Sequence, residues 1–155
     1  MKAAILKESN KPLIVEEIEI PNELQYGQVL VKISYSGICG AQINEIEAVK
    51  GPDKFLPHLL GHEGSGIVVS IGEGVSKVKP GDEVILGWIK GDGFDAPGAQ
   101  YMRGNQVINS GRVTTLCNYS IVSESRVVKK PADLPFDEAI LFGCAMPTGA
   151  GMALN

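Results

Sequence analysis

The stretch FLPHLLGHEGSGIVVSIGEG, from Phe55 to Gly74, carries both histidines of the chain, His58 and His62, four residues apart. That is the spacing at which two imidazoles share one face of a metal-binding helix. The local sequence opposes a helix. Pro57 disfavours helical geometry in the residue before it, and Gly61 interrupts any helix that follows. Glycines at 61, 64, 66, 72 and 74 surround and follow His62, and each would cost about 1 kcal/mol in a helix interior. The run GSGIVVSIG, from Gly64, reads instead as a buried strand entered from a turn. His58 then becomes a loop imidazole capped by backbone. His62 becomes a side chain that a glycine-rich turn presents to a cleft.

Outward from this stretch the pattern is one of short strands. KAAILKE and PLIVEEIEI are β-branched runs separated by a turn-like SNK, which predicts a hairpin closed off at Pro21. Val29 to Tyr35 alternates apolar and polar, as a half-buried strand does, and it runs into SGICG, where glycines flank Cys39. AQINEIEAVK repeats Ile43, Ile46 and Val49 at helical spacing, and Gly51 and Pro52 stop it. KPGDEVIL is a turn followed by a strand. Gly87 to Arg112 holds six glycines and no periodicity, so it reads as one long loop of the kind that carries function or moves. TTLCNYSIVSESRVVKKP restores strand character. DLPFDEAILFG has proline and acids near its start and Gly143 at its end, the marks of a helix. The fold class is therefore mainly β (β-rich α+β), barrel-like or sandwich-like, with two short helices.

Composition narrows the function. At 44% hydrophobic, 21% charged and a net charge of −4, the chain is an ordinary globular domain with no electrostatic footprint for nucleic acid. No apolar run reaches the length of a membrane span, and the N-terminus is not a secretory signal. The odd count of three cysteines shows no disulfide framework, so a cytoplasmic location with free thiols is the default. Cys117 falls in an apparent strand and reads as a small buried hydrophobe. Cys39 and Cys144 sit beside glycines at element ends, where side chains can converge on a cleft. With one histidine they supply three ligands that suit zinc with its fourth position open, the catalytic rather than the structural arrangement. Spacing alone leaves metal and packing roles both open.

GHEGSGIVVSIGEGV, Gly61 to Val75, resembles the zinc signature of the medium-chain, zinc-dependent alcohol dehydrogenases. It has the Gly-His-Glu triplet, then Gly66, Gly72 and Val75 at the family's spacings. SGICG resembles the segment that delivers the family's first zinc cysteine. FGCAMPTGAG resembles the segment that delivers its third ligand, and KPGDEVIL also matches. The resemblance implies zinc ligands Cys39, His62 and Cys144 and a catalytic glutamate, Glu63, beside the metal. It also implies cofactor-binding Thr148 against the nicotinamide of NAD or NADP. Apart from the resemblance, Glu63 reads as a solvated loop acid and Thr148 as a helix N-cap. The implied architecture is a GroES-like catalytic domain over residues 1–130. Residues 131–155 form a helical connection to a Rossmann domain that this sequence lacks, which suggests a fragment. The implied substrate is a small alcohol or polyol, and the full-length protein is expected to be a homo-oligomer.

The chain also departs from the family. The four-cysteine lobe of the structural zinc is missing, its place taken by Gly87–Arg112, so no structural zinc is expected. That loop and Trp88 are candidates for the substrate entrance, with core packing the plainer role for Trp88. After Cys39 the family carries a variable residue, then Ser or Thr, then Asp; here stand Gly40, Ala41 and Gln42. Ala41 has no hydroxyl to begin a proton relay, and Asn44 stands where some relatives keep a relay histidine. Gln42 replaces the aspartate that orients the zinc-bound histidine. An amide oxygen can accept that imidazole N–H, but it brings no charge, which leaves the metal more positive. Two alternatives remain: a non-catalytic GroES-like binding or assembly module, and a zinc-independent relative of the quinone-reductase kind.

Overall fold

The computed structural model describes residues 1–154. Among the described residues, ten strands form two sheets of five. The first sheet starts from the predicted hairpin: β1 (Lys2–Leu6) pairs antiparallel with β2 (Ile14–Glu17), Lys2 opposite Glu17. The second centres on β3 (Gln28–Ser36), which lies between β5 (Gly64–Ile71) and β9 (Tyr119–Ser123). The first sheet adds β4 (His58–Leu59), β8 (Gln106–Asn109) and β7 (Gln100–Arg103) in the order β2-β1-β4-β8-β7. The second adds β6 (Glu83–Leu86) and β10 (Val127–Lys129) in the order β10-β6-β5-β3-β9. The architecture is β-rich with few short helices, as the sequence leads one to expect.

Two clusters of apolar side chains make the core, and the two-residue strand period explains both. Val29 and Val31 of β3 join Val68, Val84, Leu86, Val122 and Val127 in one cluster. The intervening Leu30 packs on the other, with Ala3, Ile5, Leu59, Tyr101, Ile108 and Ile121. Neighbours Ile121 and Val122 thus face different clusters, which is why β9 is buried almost throughout. Tyr101 ties the sheets together: the Ile121 backbone N–H donates to its hydroxyl at 2.7 Å.

Several expectations need correction. Gly87–Arg112 is not one loop, because it contains the β7–β8 hairpin, Gln100 opposite Asn109, turned at Gly104 with φ +57°. The pattern was hidden because β7 and β8 have four residues each, too few for a period to show. Trp88 is 50% exposed, so it does not pack the core. β5 is not wholly buried, since Ile67 and Val69 face outward. His58 lies in strand β4 rather than a loop. Cys117 precedes β9, meets Ala3 across an isolated bridge and packs against the first cluster, where burial pushes its thiol up to about 12.

The helices also differ in detail. α1 runs Gly40–Ile46, and the residue it buries is Gln42. Ile43 and Val49, which defined the expected apolar face, are 50% and 64% exposed. The DLPFDEAILFG segment is one turn of α-helix, α2 (Phe136–Ala139), tightening into a 3-10 turn over Ile140–Gly143. α3 (Ala145–Leu154) follows.

Candidate metal centre

Three element ends bring the predicted ligands together. Cys39 lies beyond β3 and is the N-cap residue of α1. His62 stands in the short link between β4 and β5. Cys144 joins the 3-10 turn to α3. One nitrogen of His62 and the two sulfurs all lie within 4.8 Å of one another, although the cysteines are 105 residues apart in sequence.

Two glycines make this approach possible. Gly61 has φ +94°, and a Cβ there would sit 2.4 Å from Thr115 Oγ1 and 2.7 Å from the Leu116 nitrogen. Only glycine can both turn the chain that way and let it pass so close. A Cβ on Gly143 would lie 2.3 Å from the Leu86 carbonyl oxygen and 2.9 Å from Glu63 Cα. Gly143 therefore lets the segment bearing Cys144 rest directly on β6 and on the chain beside His62.

The donor set fits a zinc ion. The two sulfurs are 3.9 Å apart. Zinc–sulfur bonds of about 2.3 Å in a tetrahedral array put two thiolates about 3.8 Å apart. Nδ1 of His62 is engaged by the Gln42 amide. Its other nitrogen, Nε2, is buried and has no hydrogen-bond partner among the described residues. An orphaned buried nitrogen is costly unless something ligates it. Burial disfavours charge throughout the site: it pushes the Cys144 thiol up, and the neighbouring Cys39 and Glu63 add to this. It also pulls the His62 imidazole down.

The surrounding residues are placed as follows. Glu63 is 5% exposed, so it is not a solvated loop acid. One carboxylate oxygen accepts the Ala145 N–H at the start of α3, 3.3 Å away. Gln42 is buried, and its side-chain oxygen accepts the Cys39 N–H at 2.9 Å while its nitrogen faces His62. The amide oxygen is therefore committed to Cys39 and does not take the imidazole N–H. Thr148 is inside the first turn of α3 rather than at its N-cap. Its N–H donates to the Cys144 carbonyl at 3.0 Å, and its hydroxyl lies 3.9 Å from Cys144 Sγ. Ala41, Asn44 and Glu45 form a different face of α1, with Ala48 just past its end. That face lines a cleft of about 600 Å³ closed on its other side by residues from Lys50 to Phe55.

A second group escaped the sequence reading: Glu45, Asp53 and His58 also gather within 4.8 Å. Here both ring nitrogens are already engaged, Nδ1 with the Leu59 carbonyl at 3.0 Å and Nε2 with Asp53 at 2.6 Å. His58 has no nitrogen left over, and the group is a buried His–Asp pair. The faint signal for it was an acid five residues before a histidine.

Two five-stranded sheets of this topology thus bring together two cysteines that stand where helices begin and a histidine that stands between two strands. Residues 25–132 match the model of the alcohol dehydrogenase GroES-like domain, and the chain belongs to that family. It is 33% identical to a class-3 alcohol dehydrogenase of Dictyostelium discoideum over 98% of its length and 46% of the relative's. Against the class-3 enzyme of Pisum sativum the identity is 32%, covering 99% of the chain and 47% of the relative. Benzyl alcohol dehydrogenase from Acinetobacter calcoaceticus has the same fold, with a TM-score of 0.81 and 27% identity, over 99% of this chain and 47% of that one. The chain thus spans about half the length of the relatives it matches.

Proposed function

We propose that the chain is the catalytic-domain portion of a zinc-dependent, NAD- or NADP-linked alcohol or polyol dehydrogenase. The observation that supports it most is the pairing of an orphaned His62 Nε2 with two sulfurs at zinc-like separation. In this reading Cys39, His62 and Cys144 hold one zinc. When bound, the ion supplies a Lewis acid for the substrate oxygen, and hydride passes to the nicotinamide cofactor. Residues 1–130 form the catalytic unit, and 131–155 lead to a nucleotide-binding domain that also carries homo-oligomer contacts.

The chain's own residues have separable tasks. The start of α3 holds Glu63 through the Ala145 N–H, which keeps a carboxylate beside the ligands without making it one of them. Thr148 presents an exposed side chain one turn past Cys144, where it would bound the nicotinamide. Ala41 and Asn44 face a cleft on another side of α1 and neither can pass a proton, so the substrate proton leaves by water or by a group outside this chain. No helix among the described residues is long and apolar enough to cross a membrane. The three cysteines are free, as a reducing cytoplasm requires.

Metal analysis of the purified chain tests this. About one zinc per chain is expected after zinc loading, abolished by Cys39→Ser or His62→Ala. Folded chain that takes up no zinc, or zinc that both variants retain, would sink the proposal.

A further inference from the structure

Gln42 sits between two groups whose demands conflict. The Cys39 backbone N–H can only donate, and it lies 2.9 Å from the Gln42 side-chain oxygen. That contact settles which way the amide points, and the NH2 end faces Nδ1 of His62. An NH2 group also only donates. Nδ1 must therefore offer its lone pair, and the proton of the neutral ring is left on Nε2.

We propose that Gln42 holds His62 as the Nε2–H tautomer, so that a metal can enter only at the cost of one of the two Gln42 hydrogen bonds. This rests on the zinc reading above for its consequence, though not for the tautomer itself. Nδ1 is occupied, so Nε2 is the nitrogen free for a metal. To ligate, it must shed its proton and the ring must carry one on Nδ1 instead. Nδ1–H would then confront the amide NH2, donor against donor. Rotating the amide moves the same conflict to the Cys39 N–H. The Gln42 amide that would have to answer both groups is itself buried in α1, so water has little access to relieve it. A carboxylate has no such conflict, because one oxygen can accept from Cys39 and the other from Nδ1–H. The reciprocal Ser/Thr-x-x-Glu capping box shows that a glutamate in this register reaches the N-cap N–H. Gln42 is thus a positioning residue that favours the metal-free state.

The test needs no activity. The chain is labelled with 15N-histidine, stripped of metal, and its imidazole tautomers are read by long-range 1H–15N correlation; with two histidines, His62→Ala assigns the spectrum. Wild-type His62 should show the Nε2–H pattern, and Gln42→Glu should convert it to Nδ1–H. Zinc affinity, measured by competition with a chromophoric chelator, should tighten by about 10–100-fold in Gln42→Glu, the range that outer-shell partners command. An Nδ1–H pattern in the wild type overturns the proposal, and so does a tautomer switch with zinc affinity unchanged within about threefold. Should Gln42→Glu not fold, the wild-type spectrum alone still decides. If neither form binds zinc, the zinc reading falls, and the tautomer is judged from the spectrum separately.

Discussion

Glu124 is the residue whose removal should cost this fold most for a single polar side chain. It is 2% exposed and sits in the short 3-10 turn Glu124–Arg126 after β9. One carboxylate oxygen accepts the N–H groups of Ser76 and Lys77 at 2.7 and 2.9 Å, and the other accepts that of Phe94 at 2.8 Å. A single acid thus pins the turn before β6 and the segment leading to β7. Glu124→Ala strands three backbone donors. Ser76 and Phe94 are exposed, so water can partly re-satisfy them, and the low end of the orphan penalty applies, about 1 kcal/mol each. The sum, about 3 kcal/mol, corresponds to a fall in Tm of about 6–12 °C for a chain of this size. Glu124→Gln keeps an oxygen for one side and should lose about 1–1.5 kcal/mol. The pH dependence has a definite sign. Burial opposes ionisation of Glu124, but the Phe94, Ser76 and Lys77 N–H groups outweigh it and hold its pKa below the ordinary value. Its stabilisation is therefore complete above the unfolded-state pKa of about 4.3 and is lost as pH falls through the lower folded-state value. Urea unfolding at pH 7 and at steps down to pH 4 measures all of this. The wild-type advantage over Glu124→Gln should be flat from pH 7 to about 5 and shrink below. An alanine variant within about 0.5 kcal/mol of wild type, or a gap that widens on acidification, would refute the reasoning.

Two further outcomes are expected. Gly143→Ala places a methyl 2.3 Å from the Leu86 carbonyl oxygen and 2.9 Å from Glu63 Cα, so the chain at Cys144 must shift. A loss of about 1–3 kcal/mol with weakened zinc binding should follow, read by urea unfolding and metal content. Burial lifts the Cys117 thiol to about 12, so almost no thiolate exists at pH 8. Iodoacetamide with mass mapping of the native metal-free chain should label Cys39 well before Cys117.

Much of this molecule is legible in its sequence because the signals are local. The hairpin of β1 and β2 and the strand β3 follow from alternation and turn residues, and the hairpin pairing and the strand both occur as read. The separation of His58 from His62 follows from Pro57 and Gly61, and the two lie on opposite sides of a sharp turn with Gly61 at φ +94°. The ligand trio is legible only through the family resemblance, since 105 residues separate its cysteines and no spacing rule reaches that far.

Other features depend on groups meeting from afar. Glu63 looks like a surface acid until α3 closes over it. The β7–β8 hairpin is too short to announce itself, and its Tyr101 gains meaning only from the Ile121 N–H across the interface of the two sheets. Helix α1 shows the division most clearly. Its sequence announces a helix, but the helix ends at Ile46 rather than at Gly51, and the side chain it buries is Gln42, not its isoleucines, because the cleft lies on one side and His62 on the other. Sequence determined the longer strands, their turns and the kinds of ligand available, all properties of a few neighbouring residues. Only the tertiary structure decided that the Gln42 oxygen belongs to Cys39 and its nitrogen to His62, since an amide's orientation is set by which donors and acceptors the fold brings against it.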